Sequence, residues 1–159
     1  MKDMKAKKEI LPEEIWNSEK SKSLTEFVLH HSALQSEEQR LKNKLLSIRY
    51  QVEDFLEAAD PASKLQLIDV VNLYARALNV TKKKLAQLLD MDDSNLHKYL
   101  TGQRKLNADF VLKISAFTHL EPEYWLRLEV KNEVIELKSK NLIERYLKYD
   151  YQKLLSARA

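Results

Sequence analysis

Cysteine is absent from this chain, and glycine occurs once. Without cysteine there is no disulfide framework, no thiol nucleophile and no cysteine-ligated metal site. With a single glycine and only 3 prolines, the tight turns that a many-stranded protein needs have few places to form. Strand-type alternation of apolar and polar residues is equally scarce. No run of about 18 apolar residues exists, so no transmembrane helix is expected. The N-terminus, MKDMKAKKEILPEEIW, is basic but lacks the apolar stretch of a secretory signal. A glycine-rich phosphate loop, an HExxH pair and a Ser/His/Asp arrangement are all missing. His30, His31, His97 and His119 lie scattered along the sequence. The chain thus reads as a non-enzyme with no catalytic residue, metal site or cofactor. The reducing cytoplasm is its simplest location.

What the chain does have is helix-forming material. Hydrophobic residues reach 44%, enough for a packed core, and charged residues reach 32%, many of them Lys and Glu. That balance predicts a nearly all-α protein. The formal net charge of +3 and the pI of about 8.9 permit a nucleic-acid partner without demonstrating one.

Residues 1–60 read as a helical N-terminal extension. Its first part is Lys- and Glu-rich, with Ile10, Leu11, Ile15 and Trp16 as the apolar minority. It is either an arm or a segment that docks on a partner through Ile15 and Trp16. Pro12, Glu13 and Glu14 suit the start of a helix. A short helix is expected over 23–34. Ser36 with Gln39 forms a capping box for a longer helix to about Glu57. There Leu41, Leu45, Ile48, Val52 and Phe55 recur at steps of four and three. The seam spans about two heptads, short of a sustained coiled coil, and suits packing on a neighbouring domain or a dimer helix. Asp60-Pro61-Ala62-Ser63 breaks the pattern, with the next helix expected from Leu65.

Residues 61–130 carry the most informative stretch, 78–106, LNVTKKKLAQLLDMDDSNLHKYLTGQRKL. Two apolar faces, Leu85–Leu88–Leu89 and Leu96–Tyr99–Leu100, flank Asp90-Met91-Asp92, which has room only for a tight turn. Thr81 is the expected cap of the first helix, Lys82 to Leu89, and Asp92 that of the second, to Thr101. The one glycine, Gly102, stands where a left-handed helix stop favours it. This is a helix-turn-helix, whose second helix is built to enter a DNA major groove. Asn107 caps a fourth helix through Phe110, Val111, Ile114 and Phe117. Pro122 opens a fifth through Tyr124, Trp125, Leu126 and Leu128. Residues 131–159 are expected as a C-terminal helix. Its apolar pairs, Leu142–Tyr146, Ile143–Leu147 and Tyr151–Leu155, form a wide stripe buried against the N-terminal helices or a second subunit.

Thr81 to Leu128, TKKKLAQLLDMDDSNLHKYLTGQRKLNADFVLKISAFTHLEPEYWLRL, resembles the phage-repressor-like (XRE, Cro/C1-type) helix-turn-helix domains. Leu120-Glu121-Pro122-Glu123-Tyr124-Trp125-Leu126-Arg127-Leu128 is similar to the S-P-E-F-W-L-x-L element of HigA-type antitoxins. The resemblance implies a five-helix domain, and the N- and C-terminal helical extensions read from the residues lie outside it. It also implies a homodimer on a palindromic double-stranded operator, and a RelE-like toxin as partner. The Trp125 motif itself reads as core.

Residue chemistry suggests how DNA would be read. Thr81, Lys82, Lys83 and Lys84 place cations at a helix start, suited to a backbone phosphate. Base readout falls to Asp93, Ser94 and Lys98, with Asn95 and His97 flanking them. Asn95 suits adenine, Lys98 guanine, and Ser94 either a base or a phosphate. Gln103, Arg104 and Lys105 are placed to grip the far backbone. Two positions depart from the family pattern. Asp90 replaces the usual turn glycine, a residue type that tolerates left-handed backbone. Asp93 adds a second carboxylate facing a phosphate-rich groove. It either accepts from cytosine N4 or marks a domain that no longer reads DNA. In that second case the chain is a helical interaction scaffold that holds a protein partner through its extensions.

Overall fold

The computed structural model describes residues 18–158, and every regular element among them is helical. The expected arm, with Ile10, Leu11, Pro12, Glu13, Glu14, Ile15 and Trp16, lies outside the described residues. The chain divides into two compact units, residues 1–40 and 41–159.

The first unit holds α1 (Ser18–Leu34) and the first turn of α2 (Glu37–Glu57). Glu19 opens α1, a charge that suits the helix dipole, and His31 lies in its last turn. Ser36 accepts from the Gln39 N–H at 3.2 Å, which is the expected cap of α2. Leu24, Phe27, Val28, Leu29 and Leu34 of α1 are all exposed. The Phe27 and His31 rings meet at 4.5 Å between centroids.

The second unit begins inside α2 and is built on one core. Ile48, Val52, Phe55 and Leu56 of α2 are buried, so its seam packs into the domain. The core thus starts within the segment read as an extension. Four helices follow: α3 (Leu67–Ala77), α4 (Lys82–Leu88), α5 (Asp93–Leu100) and α6 (Ala108–Thr118). After them come α7 (Pro122–Ser139), a 3-10 helix (Ile143–Tyr149) and α8 (Gln152–Ser156). Val70, Val71 and Tyr74 from α3 meet Leu85, Leu96, Phe110, Ile114, Trp125 and Leu128 in the centre. Each such side chain contributes about 1.5–3 kcal/mol by leaving water. Trp125 is fully buried, in keeping with its motif being core.

The helix ends explain why the elements stop where they do. Asn79, Asp90 and Asn141 adopt φ of 53°, 52° and 54°. In each case the residue's own N–H and the next one turn back onto the preceding helix. Asp90 N donates to Gln87 O at 3.1 Å and Met91 N to Ala86 O at 3.0 Å. This is the Schellman stop, which satisfies carbonyls a helix otherwise leaves open. Asp90 therefore does take the left-handed conformation that the turn demands. His119 does so at the end of α6, with φ 58°.

Four expectations change. α3 starts at Leu67, not Leu65, because Asp69 accepts from the Gln66 N–H at 3.0 Å and fixes the entry there. Leu88 is 60% exposed, and the buried pair beside Leu89 is Leu85 and Ala86. The C-terminal segment is not one helix: α7 runs to Ser139 and Asn141 stops it. No residue of the 3-10 helix or of α8 is buried, so of the two covers expected for the stripe the chain itself supplies none among the described residues.

Candidate nucleic-acid interface

The turn between α4 and α5 sets the angle of the pair. Apolar residues at Leu85, Ala86, Leu89, Leu96, Tyr99 and Leu100 pull one face of each helix into the core. The opposite faces are left outward. On α5, Asp93, Ser94, His97 and Lys98 are exposed and Asn95 is half-buried. On α4, Lys82, Lys83 and Lys84 are exposed behind Thr81, whose hydroxyl accepts from the Lys84 N–H at 3.2 Å. Thr81 therefore caps as expected. Asp92 stands at the cap position of α5 with extended backbone (φ −73°, ψ 148°), but its side chain makes no cap bond. Its exposed carboxylate, beside that of Asp93, leaves two negative charges at the start of the outward helix.

The loop after α5 is held from several sides. Gly102 has φ 76°, so the chain turns left-handed there. Thr101 Oγ1 donates to His97 O at 2.8 Å, and Arg104 N donates to Lys98 O at 3.0 Å. The Arg104 guanidinium lies over the Tyr99 ring, 5.4 Å from its centroid. Lys105 pairs with Glu133 of α7, and the Leu106 N–H donates to Glu129 at 3.1 Å. Asn107 accepts from the Phe110 N–H at 2.9 Å, the expected cap of α6, and donates to the Tyr99 hydroxyl at 2.9 Å. Gln103, Arg104 and Lys105 are exposed. The sequence placed these three in the loop after the helix but gave no sign of the contacts with Tyr99, Glu129 and Glu133. Asn107 was legible as a cap; its second bond joins residues eight apart and left no local signal.

Further from this face, α2 and α7 are tied by charge. Arg49 Nε donates to Glu53 at 2.8 Å, and the Tyr124 hydroxyl donates to the same oxygen at 3.1 Å. The Arg49 bond, with that of Tyr124 behind it, holds the Glu53 carboxyl below the usual range. Lys131 Nζ donates to Leu56 O at 2.9 Å and stands over the Phe55 ring.

The helix-turn-helix family model matches residues 73–125, from within α3 to the first turn of α7. No curated protein and no solved structure matches the chain. The match covers about a third of the chain and contains α4 and α5, the helix pair described above. Among the described residues, no helix is long and apolar enough to cross a membrane.

Proposed function

We propose that the protein is a sequence-specific transcriptional regulator that binds double-stranded DNA. The observation that carries this reading is the exposed face of α5, with exposed Lys82–Lys84 at the start of α4 before it and exposed Gln103 and Arg104 in the loop after it. Ser94, Asn95 and Lys98 read base edges, and Asp93 accepts from a cytosine amino group. His97 donates to a phosphate. Thr81 and Lys82–Lys84 position one backbone strand, and Gln103 and Arg104 the other. Two copies on a palindromic operator give the half-site spacing that a paired recognition helix requires. The exposed apolar residues between Ile143 and Leu155 supply a surface for that pairing. The likeness of Leu120–Leu128 to the antitoxin element supports a finer role, an autorepressor whose partner is a RelE-like toxin.

A second reading has its own support. The uncapped Asp92 and the neighbouring Asp93 repel phosphate, and α1 exposes five large apolar residues. Both suit a scaffold that binds protein instead of DNA.

Titration of the full chain against a duplex from its own upstream region, with an unrelated duplex beside it, separates the two. The regulator binds the first tightly and with steep salt dependence. Lys98→Ala costs about 1–3 kcal/mol on that duplex and little on the unrelated one. Replacing Lys82 and Lys83 by Ala weakens both and flattens the salt slope. Equal, feeble binding to both duplexes by the parent chain favours the scaffold.

A further inference from the structure

Leu106 is the one apolar side chain of the loop Thr101–Leu106, and it packs against the core. A cavity of about 270 Å³ lies behind the loop, lined by Leu67, Gly102, Lys105, Glu129 and Asn132 among others. The rest of the loop is held by polar and aromatic tethers, and these treat its two cations differently. Lys105 is drawn back onto Glu133 of α7. Arg104 is laid over the Tyr99 ring.

Tyr99 is fixed on every side that matters. Its ring stacks on Phe110 at 4.3 Å and 11°, which closes one face and leaves the other for the guanidinium. Its hydroxyl is held by Asn107. The backbone of Arg104 is pinned by its N–H bond to Lys98 O, so the base-reading helix and the arginine share one rigid frame. An arginine on a ring face keeps its donor edge open while part of its rotamer freedom is already gone.

We infer that Tyr99 is the positioning residue for Arg104: it presets the guanidinium for a backbone phosphate, while Glu133 withdraws Lys105 from that role. This rests on the DNA-binding reading above and divides the two cations that sequence alone grouped together.

The test is a double-mutant cycle on the full chain with a mixed-sequence DNA duplex, repeated across salt concentrations. Arg104→Ala weakens binding and lowers the salt slope by about 0.9, the value of one phosphate. Tyr99→Leu weakens it by a similar factor, and adding Tyr99→Leu to Arg104→Ala changes little more. Tyr99→Phe, which keeps the ring, retains the parent slope, as does Lys105→Ala. Additive losses from Tyr99→Leu and Arg104→Ala overturn the inference, as does a Lys105→Ala slope as low as that of Arg104→Ala. A parent chain that fails to bind sinks the DNA reading itself. NMR of the parent chain tests the contact should Tyr99→Leu not fold. The Arg104 side-chain protons are shifted upfield by the ring in the free protein and stay so with duplex bound. Unshifted resonances in the free protein overturn the inference.

Discussion

At the scale of single residues, the helix stops turn on five positions with positive φ among the described residues, one of them glycine. Asn and Asp occupy three of the others, and their short polar side chains tolerate the left-handed region better than most. Gly102 is different in kind from a packing glycine. A Cβ built there meets nothing within 4 Å, so its requirement is conformational, set by φ 76°. Gly102→Ala is therefore expected to cost about 1 kcal/mol, the left-handed penalty reduced by the lower entropy of the unfolded chain. Urea denaturation with an unchanged slope and a lowered midpoint is the expected result. An unchanged midpoint would mean that the loop after α5 relaxes to another conformation without loss.

At the scale of elements, the question is what fastens one helix to the next. Tyr124, at the start of α7, and Arg49, on α2, converge on Glu53. Because its partners lower the Glu53 pKa in the folded state, this carboxylate contributes stability above its ordinary value of 4.5. That contribution is lost as pH falls through the lowered value. Glu53→Gln is expected to be less stable than the parent at neutral pH and to converge with it under acid. Denaturation midpoints taken at both ends of that range check the sign. A gap that widens on acidification would exclude Glu53 as the fastening group. The same scale shows what was legible beforehand. Thr81, Asn107, Pro122 and Gly102 announced their helix ends because a cap or a stop is a local event, written in one or two residues. The stops at Asn79, His119 and Asn141 were missed because Asn and His are common in many settings and point to a left-handed turn only weakly. The outward face of α5 was legible from period alone, since burying Leu96, Tyr99 and Leu100 forces its neighbours out. Glu129 and Glu133 were not, because they meet the loop from 23 and 28 residues away. Periodicity also misled: Leu88 fits the apolar stripe of α4, yet a seven-residue helix buries only its narrow inner edge.

At the scale of the whole molecule, burial is uneven along the chain. Every helix from α2 to α7 gives buried residues to the core, whereas α1, the 3-10 helix and α8 give none. Ile143, Tyr146, Leu147, Tyr149, Tyr151, Leu154 and Leu155 remain exposed, an apolar set dense enough to mark an interaction surface. Folding and assembly should therefore separate. A chain ending at Lys140 loses no core side chain, so its unfolding free energy is expected to stay within about 0.5 kcal/mol of the parent. Under the proposed regulator reading, the same cut removes the pairing surface, and sedimentation should then report a monomer where the parent is a dimer. Operator affinity falls with it, because one recognition helix must act alone while each half keeps its salt-dependent phosphate contacts. A shortened chain that still sediments as a dimer would move the pairing surface elsewhere, with the exposed Leu24, Phe27, Val28 and Leu34 of α1 as the next surface to substitute. A shortened chain that unfolds would instead tie the last helices to the core, against their exposure.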